Sequence, residues 1–520
     1  MTVQIPAIRR LNDALEHWAE QTPHDEALSF AGQRWTWAQW RDRVHHATGA
    51  LRALGIGRGD TVATLDKNHP QSLEITFAAA ALGAAHAIAN WRLSAGELQY
   101  ILTDCGAKVL FVGADFAKTA DELDLPKVER VIVVGGSSDD EYEAWLAAGP
   151  PLAPVAEVAD DDVCLIMYSS GTTGLPKGVM LTHRNLAAHT VNTTTSLPYS
   201  EGDRNLVAMP LFHVGGTSYA ILGIANGRPS TLTREPDAAS LFGAIAEGCT
   251  HAFLVPAVVN GVLQAGEQAI AAFNRLRRLS YGAAPMPLPL LRRALAAFPD
   301  MEFVQVYGMT ELGGVVTVLG PEAHRDEAHP ERLISAGTVQ AGTKMRVVDP
   351  ATLEDVPIGE PGELWFHGEQ RMLGYHGKPD ATADVITEDG WLRSGDIARV
   401  DEDGFVFIID RLKDMIISGG ENVYSPEVEQ VLAEHPAVGD VAVIGVPDEH
   451  WGERVKAVVA AAPGQTVDPE ALIAFCRERL AHYKCPSSID VIDVLPRNPA
   501  GKVLKRNLRE PYWRDRGRNV

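Results

Sequence analysis

Cysteine is scarce in this chain: five in 520 residues, Cys105, Cys164, Cys249, Cys476 and Cys485. None forms a CxxC or a zinc-like spacing, so neither a disulfide scaffold nor a structural zinc site is expected. A reducing compartment, in the simplest case the cytoplasm, is the expected setting. Positive charge is also short. Lys and Arg number 46 against 68 Asp and Glu, a formal net charge of −22. That balance disfavours nonspecific attachment to nucleic acid or to an anionic membrane surface. A small anionic ligand can still be held by local donors. Long hydrophobic runs are missing too. The most apolar stretch, Ile75–Ile88, contains His86, is too short to span a bilayer and reads as a core helix. The first residues, MTVQIPAIRRLNDALEHWAE, carry early acidic side chains and no apolar h-region, so no signal peptide is expected. There are no repeats or low-complexity tracts.

What is present is an ordinary globular balance, 46% hydrophobic and 22% charged residues, in a chain too long for one core. Ile8, Leu11, Leu15 and Trp18 are spaced as on an amphipathic helix. Thr36 followed by Gln39 is a capping box, predicting a helix to about Leu54 stopped by Gly55. DTVATLD, AKVLFVGA, VERVIVVGG and VCLIMYSSG read as short buried strands alternating with helices, the pattern of an α/β fold with parallel sheet. After about Gly337 the pattern changes to strand, turn, strand, which predicts a smaller β-rich subdomain. Beyond Arg411, Ser425-Pro426-Glu427 reads as a helix start with Ser425 as N-cap. The strands and helices that follow make a compact α+β domain. The expected division is 1–411, a large domain, and 412–520, a small C-terminal one.

Five clusters carry candidate chemistry. In YSSGTTGLPKG, Gly171, Gly174 and Gly178 let backbone N–H groups approach a ligand. Ser169, Ser170, Thr172 and Thr173 add hydroxyls, and Lys177 adds a cation. The set suits polyphosphate, although it lacks the GK[ST] of a Walker A loop. In QVYGMTELGG an apolar strand delivers Tyr307, Gly308, Thr310 and Glu311: a ring to stack, a hydroxyl, and a carboxylate able to hold Mg²⁺. Taken alone, this is most simply a strand-to-loop turn. In WLRSGDIARV, Asp396 follows a small turn and can accept two ribose hydroxyls, or is an ordinary hairpin aspartate. Arg411, Lys413 and Asp414 precede an apolar triplet and Gly419-Gly420-Glu421. Lys502 follows Pro499-Ala500-Gly501, where a lysine is usually just solvated.

Occurring together and in this order, YSSGTTGLPKG, YGMTE, SGD, DRLKDMIISGGENVYSPEVE and PRNPAGK resemble the acyl-adenylate-forming superfamily. The nearest match within it is the group of free-standing acyl-CoA synthetases acting on fatty and aryl acids. The resemblance spans about residues 10–510. It implies a large N-terminal domain of parallel-sheet subdomains plus a β-rich subdomain, and a small mobile α+β C-terminal domain. It also implies ATP, Mg²⁺ and coenzyme A as cofactors. Ser169–Lys177 would embrace the ATP phosphates, with Ser169 and Glu311 near the metal. The family most often has threonine where this chain has Ser169. Gly282, Ala283, Ala284 and Tyr307 would flank adenine. Thr310 would contact the α-phosphate, Asp396 and Arg411 the ribose, and Lys502 the acyl carboxylate and ribose–phosphate region. Lys413 would be the hinge, and Gly419, Gly420 and Glu421 would lie beside the pantetheine tunnel. His213 would lie near the carboxylate and gate the acyl tunnel.

The chemistry so implied turns a carboxylate into acyl-AMP with loss of pyrophosphate, then into a thioester with loss of AMP. Gly215, Gly216 and Tyr219, with Gly308 and Gly313 opposite, leave room for an acyl group. FLVPAVVNGVL, Phe253–Leu263, would line an apolar pocket or pack in the core. With no charged partner for an α-amino group in view, a hydrophobic monocarboxylic acid is expected, of medium or longer chain or bearing a ring. The alternatives are an aryl- or amino-acid adenylating enzyme loading a carrier protein, an enzyme that stops at acyl-AMP or oxidises it, and a nucleotide-binding regulator without catalysis. The expected partners are small molecules, with no nucleic acid and no transmembrane segment; a homodimer is compatible with the sequence.

Overall fold

The structure is a computed structural model that describes residues 5–135, 140–169, 175–418, 421–448, 450–497 and 503–514. Its elements are mixed α/β, and the chain clusters into two compact units. The first comprises Met1–Ser170, Pro176–Met345 and Phe366–Leu392; the second comprises Gly171–Leu175, Arg346–Trp365 and Arg393–Val520.

Two large sheets organise the first unit. A seven-stranded sheet has strands Thr61–Leu65, Ala85–Ile88, Val109–Gly113 and Arg130–Val134 parallel, with Val163–Ser169 joining parallel to Ala85–Ile88. Lys177–Thr182 then turns back antiparallel on Val163–Ser169, and Gly374–Tyr375 closes that edge. These strands read as unbroken apolar runs because helices cover the sheet, leaving no polar face. The nine-stranded sheet holds the parallel strands Arg278–Gly282 and Glu302–Met309, and the antiparallel Gly314–Leu319 that follows. Lys344–Val348, Gly362–His367, Leu392–Val400 and Val406–Arg411 form a four-stranded sheet, and the second unit contains a five-stranded sheet built on Val438–Asp448 and Gly452–Ala461.

Several local expectations hold. Thr36 and Gln39 form the reciprocal capping box of helix Trp37–Ala53, and Gly55 follows at φ +79°. Others need correcting. The run Ile75–Ile88 is not one helix. Helix Pro70–Ala80 stops before Gly83, which takes φ +70°, and Ala85–Ile88 is a buried strand. Ala, Leu and Ile suit either state when buried, and only the glycine marks the break. The first helix begins at Asp13, after Asn12, so Ile8 and Leu11 precede it. Ser425 is the first residue of helix Ser425–Ala433, not its cap; Tyr424 takes that position. The Ser425 hydroxyl instead donates to Asp410 at 2.9 Å and accepts from Lys505 at 2.5 Å. Among the described residues no helix is long and apolar enough to cross a membrane.

Candidate active site

In sequence, the glycine-rich segment lies between strands Val163–Ser169 and Lys177–Thr182, which pair antiparallel. Ser170–Gly174 lie outside the described residues, and its two shoulders are paired across the ladder, Ser169 opposite Lys177. The ladder is tight: a Cβ on Gly178 would come within 2.9 Å of Ile166. Tyr375 pairs with Val179 on the outer edge. Its ring lies under the Lys177 ammonium, 4.7 Å from the centroid, a cation–π contact. Its hydroxyl donates to Glu311 Oε1 at 2.8 Å, while the Met372 N–H donates to the Glu311 carbonyl at 2.8 Å. Three segments far apart in sequence thus bring a cation, a phenol and a buried carboxylate into successive contact. Burial, with the Glu311 charge beside it, pushes the Tyr375 phenol well up, so the hydroxyl stays a donor.

Thr310 opens the 3₁₀ turn Thr310–Leu312 directly after strand Glu302–Met309, so Tyr307, Thr310 and Glu311 leave the sheet at one end. On the neighbouring parallel strand, Gly282 pairs with Val306, and a Cβ there would meet the Val306 carbonyl oxygen at 2.4 Å. Ala283 follows at φ +61°, a left-handed conformation that costs a non-glycine residue roughly 1–2 kcal/mol. The turn Gly282–Ala283–Ala284 and Tyr307 therefore stand side by side at the ends of adjacent strands. That placement is where ligands of open α/β sheets bind.

Below that rim lies a cavity of about 110 Å³. Ala283, Tyr307 and Gly308 stand at its mouth, and Thr193, Leu197, Tyr199, Leu222 and His251 are buried at its inner end. Gly215 and Tyr219 line it as expected. Of Phe253–Leu263 only Phe253 does so; Val259 and Val262 pack in a separate core around Leu254 and Phe273. Gly215 exists because Phe253 presses on it: a Cβ would lie 2.8 Å from the ring. His189 accepts the Val315 N–H on Nε2 at 3.0 Å, holding the Gly314–Val315 wall. His213 is partly buried with an unpartnered Nε2, and burial, then Arg92, lower its pKa to about 4. It is not itself a lining residue; Val214 and Gly215, the next two, are.

In the second unit, Asp396 and Arg411 face each other across the antiparallel ladder and form an ion pair at 3.8 Å. Sequence reasoning missed the residue that holds their turn. Glu363, 2% exposed, accepts the Gly395 N–H at 3.0 Å, Trp365 Nε1 at 2.8 Å and Arg393 Nε at 3.1 Å. Lys413 lies in the turn after Arg411, whose carbonyl accepts from Asp414 and Met415. Burial lowers the Lys413 pKa to about 8, and Arg509 donates to its carbonyl at 2.9 Å. Glu421 is exposed at the start of a short strand paired with Ile416–Ser418. Gly419, Gly420 and Lys502 lie outside the described residues.

Residues 15–376 match the AMP-binding enzyme family, and 427–502 match the AMP-binding enzyme C-terminal domain. The chain belongs to the AMP-binding enzyme family. It is 41% identical over 509 residues to the feruloyl-CoA synthase of Amycolatopsis sp, covering 96% of this chain and 99% of that one. It is 37% identical over 521 residues to the fatty acid–[acyl-carrier-protein] ligase ScoC of Streptomyces coeruleorubidus, covering 99% of each. Among solved structures it resembles o-succinylbenzoate CoA synthetase of Bacillus subtilis in complex with its acyl-adenylate intermediate. The TM-score is 0.83 at 29% identity, and the match covers 98% of both chains. The activity class is that of an AMP-forming acyl-CoA synthetase.

Proposed function

We propose that this enzyme joins a hydrophobic monocarboxylic acid to coenzyme A through an acyl adenylate. The observation that carries this reading is the mostly apolar cavity opening between Ala283, Tyr307 and Gly308, at the strand ends where Thr310 and Glu311 also emerge. A carboxylate oxygen attacks the α-phosphorus of ATP and pyrophosphate leaves; the thiol then attacks the acyl carbon and AMP leaves. Both reactants of the first step are anions, so the site must supply positive charge and donors where charge redistributes. Lys177 and the backbone N–H groups of Ser169–Gly174 hold the β- and γ-phosphates, and Thr310 holds the α-phosphate. Gly282, Ala283, Ala284 and Tyr307 flank the adenine, Asp396 and Arg411 take the ribose hydroxyls, and Lys502 neutralises the carboxylate and α-phosphate during adenylation. Gly419, Gly420 and Glu421 belong to the thiol-transfer step, reached by rotation about Lys413 between domains 1–411 and 412–520.

The donor set fits Mg²⁺. Among the described residues no group of three or more His, Cys, Asp or Glu forms a metal cage, and Mg²⁺ characteristically takes one or two carboxylates plus phosphate oxygens. Glu311 is that carboxylate, with Ser169 beside the phosphates; the ion would screen phosphate charge. The relatives bracket the acyl group between an aromatic and an aliphatic acid and the thiol between coenzyme A and a carrier protein. The test is pyrophosphate release across a panel of acids, with and without coenzyme A. Acid-dependent release with AMP as the nucleotide product supports the reading, and acid-independent hydrolysis to ADP contradicts it.

A further inference from the structure

The two large sheets of the first unit meet at a seam closed by three consecutive residues. Strand Thr61–Leu65 of the seven-stranded sheet runs out into Asp66, Lys67 and Asn68. Strands Asn205–Val207 and Ser230–Leu232 of the nine-stranded sheet run out towards Met209–His213 and Arg234–Glu235. Asp66 pairs with Arg234 at 2.8 Å and Lys67 with Glu235 at 2.6 Å. Asn68 binds backbone instead. Its Nδ2 donates to the Met209 carbonyl at 3.1 Å, and its Oδ1 accepts the Leu211 N–H at 2.9 Å. That clasp needs a donor and an acceptor on separate atoms of one short planar group, which asparagine has and aspartate or leucine of similar shape lacks. Asn68 is 4% exposed, so removing its amide strands a carbonyl and an N–H in the interior.

The turn so held delivers His213. The His213 N–H donates to the Pro210 carbonyl at 3.1 Å, and the His213 carbonyl accepts from Gly216 at 3.0 Å and Thr217 at 3.1 Å as helix Val214–Ala225 begins. The Thr217 hydroxyl donates to the Leu211 carbonyl. A Cβ on Gly216 would lie 2.2 Å from the Pro210 oxygen, so turn and helix start are in close contact. The backbone on both sides of the ring is therefore fixed, while the ring itself stacks only on Phe212, centroids 4.5 Å apart. Its Nε2 is buried, and no hydrogen bond among the described residues aims it. The turn sets the direction of the ring, and Asn68 sets the turn. Met209 also packs with Leu197, Phe253 and Val306, which line the acyl cavity, so the same clasp steadies that wall.

We propose that Asn68 is a positioning residue for His213: it clasps the Met209–Leu211 turn to the end of the neighbouring sheet and so holds the His213 ring where its open nitrogen meets the bound acid. The inference rests on the acid–CoA ligase reading. The experiment measures kcat and KM for acid and for ATP in acid-dependent pyrophosphate release, with whichever acid of the panel releases most. It compares the natural protein, Asn68→Ala, His213→Ala and the double variant. Asn68→Ala should lower kcat/KM for the acid about tenfold, the scale of two net hydrogen bonds, and leave KM for ATP within about twofold. Because the effect passes through His213, the double variant should fall below His213→Ala by no more than about twofold. Effects that multiply in the double variant overturn the proposal, since Asn68 then acts on the frame alone. Equal changes in KM for acid and ATP overturn it too, as does a His213→Ala protein with the natural kcat/KM. Asn68→Asp keeps the acceptor for Leu211 and loses the donor to Met209; it carries the same cycle if Asn68→Ala does not fold. Each of these outcomes leaves the ligase reading standing. A natural protein that releases pyrophosphate with no acid removes that reading and this inference together.

Discussion

Glu311 is 8% exposed, and a carboxylate that buried needs partners for its charge. Tyr375 supplies one hydrogen bond, at 2.8 Å, and the proposed Mg²⁺ supplies the attraction that would justify the position. Glu311→Gln keeps the shape and the acceptor for Tyr375 but removes the charge. The expected outcome is an apparent Mg²⁺ requirement raised about tenfold in ATP–pyrophosphate exchange, the scale of 1.4 kcal/mol, with the fold intact by circular dichroism. An unchanged Mg²⁺ titration contradicts the role. Glu311 itself was legible in YGMTE because the motif is local. Tyr375 was not. Its role comes from pairing with Val179, nearly two hundred positions earlier, and nothing in its own neighbourhood signals that. Glu363 was hidden for the same reason: in GELWFHG it reads as one residue of an alternating strand, yet it accepts the N–H of Gly395.

At the scale of elements, boundaries set by side chains acting locally could be read. The Thr36–Gln39 box is the example. Boundaries set by tertiary partners could not. Ser425 sits where a capping serine would, but buried Asp410 and Lys505 claim its hydroxyl, so the helix starts one residue early. The linker after Arg411 carries the next expectation. Proline at 413 fixes φ near about −65° and removes an N–H, restricting the backbone where the proposed rotation needs freedom. Lys413→Pro should still form acyl-AMP, while thioester output collapses in rapid-quench assays of the two half-reactions. Lys413→Ala should retain both. Thioester formation by Lys413→Pro at the natural rate places the hinge elsewhere.

At the scale of the whole molecule, burial of neutral histidine governs acid sensitivity. His69, His86, His183, His189, His213, His251 and His324 all have pKa values lowered from 6.5, burial being the first cause in each. His86 shows why: it lies between the hydroxyls of Thr64 and Thr76, both at 2.8 Å, which satisfy a neutral ring and offer no anion to a charged one. Above pH 6.5 folded and unfolded states are both neutral at these sites, and the stability is fully present. As pH falls from 6.5 towards 4 the unfolded chain takes up protons that the folded chain refuses. Stability is then lost at up to about 1.4 kcal/mol per histidine per pH unit. The thermal midpoint should therefore drop steeply between pH 7 and 5, and a flat profile contradicts this. The order of strands and helices was legible from apolar runs and glycines. The acyl cavity was legible only as small residues around Gly215 and Gly308, because its inner wall joins Leu197, Tyr199, Leu222 and His251, side chains that no motif links.

The account as a whole rests on the acid being activated through its own oxygen. Bridging oxygen in an acyl adenylate comes from the carboxylate and stays with phosphorus when the thiol attacks the acyl carbon. The decisive measurement is therefore a single turnover with acid labelled in both carboxylate oxygens with oxygen-18, followed by mass spectrometry of the products. The account predicts one labelled oxygen in AMP, one in the thioester and none in pyrophosphate. Unlabelled AMP, or label in inorganic phosphate, would contradict it.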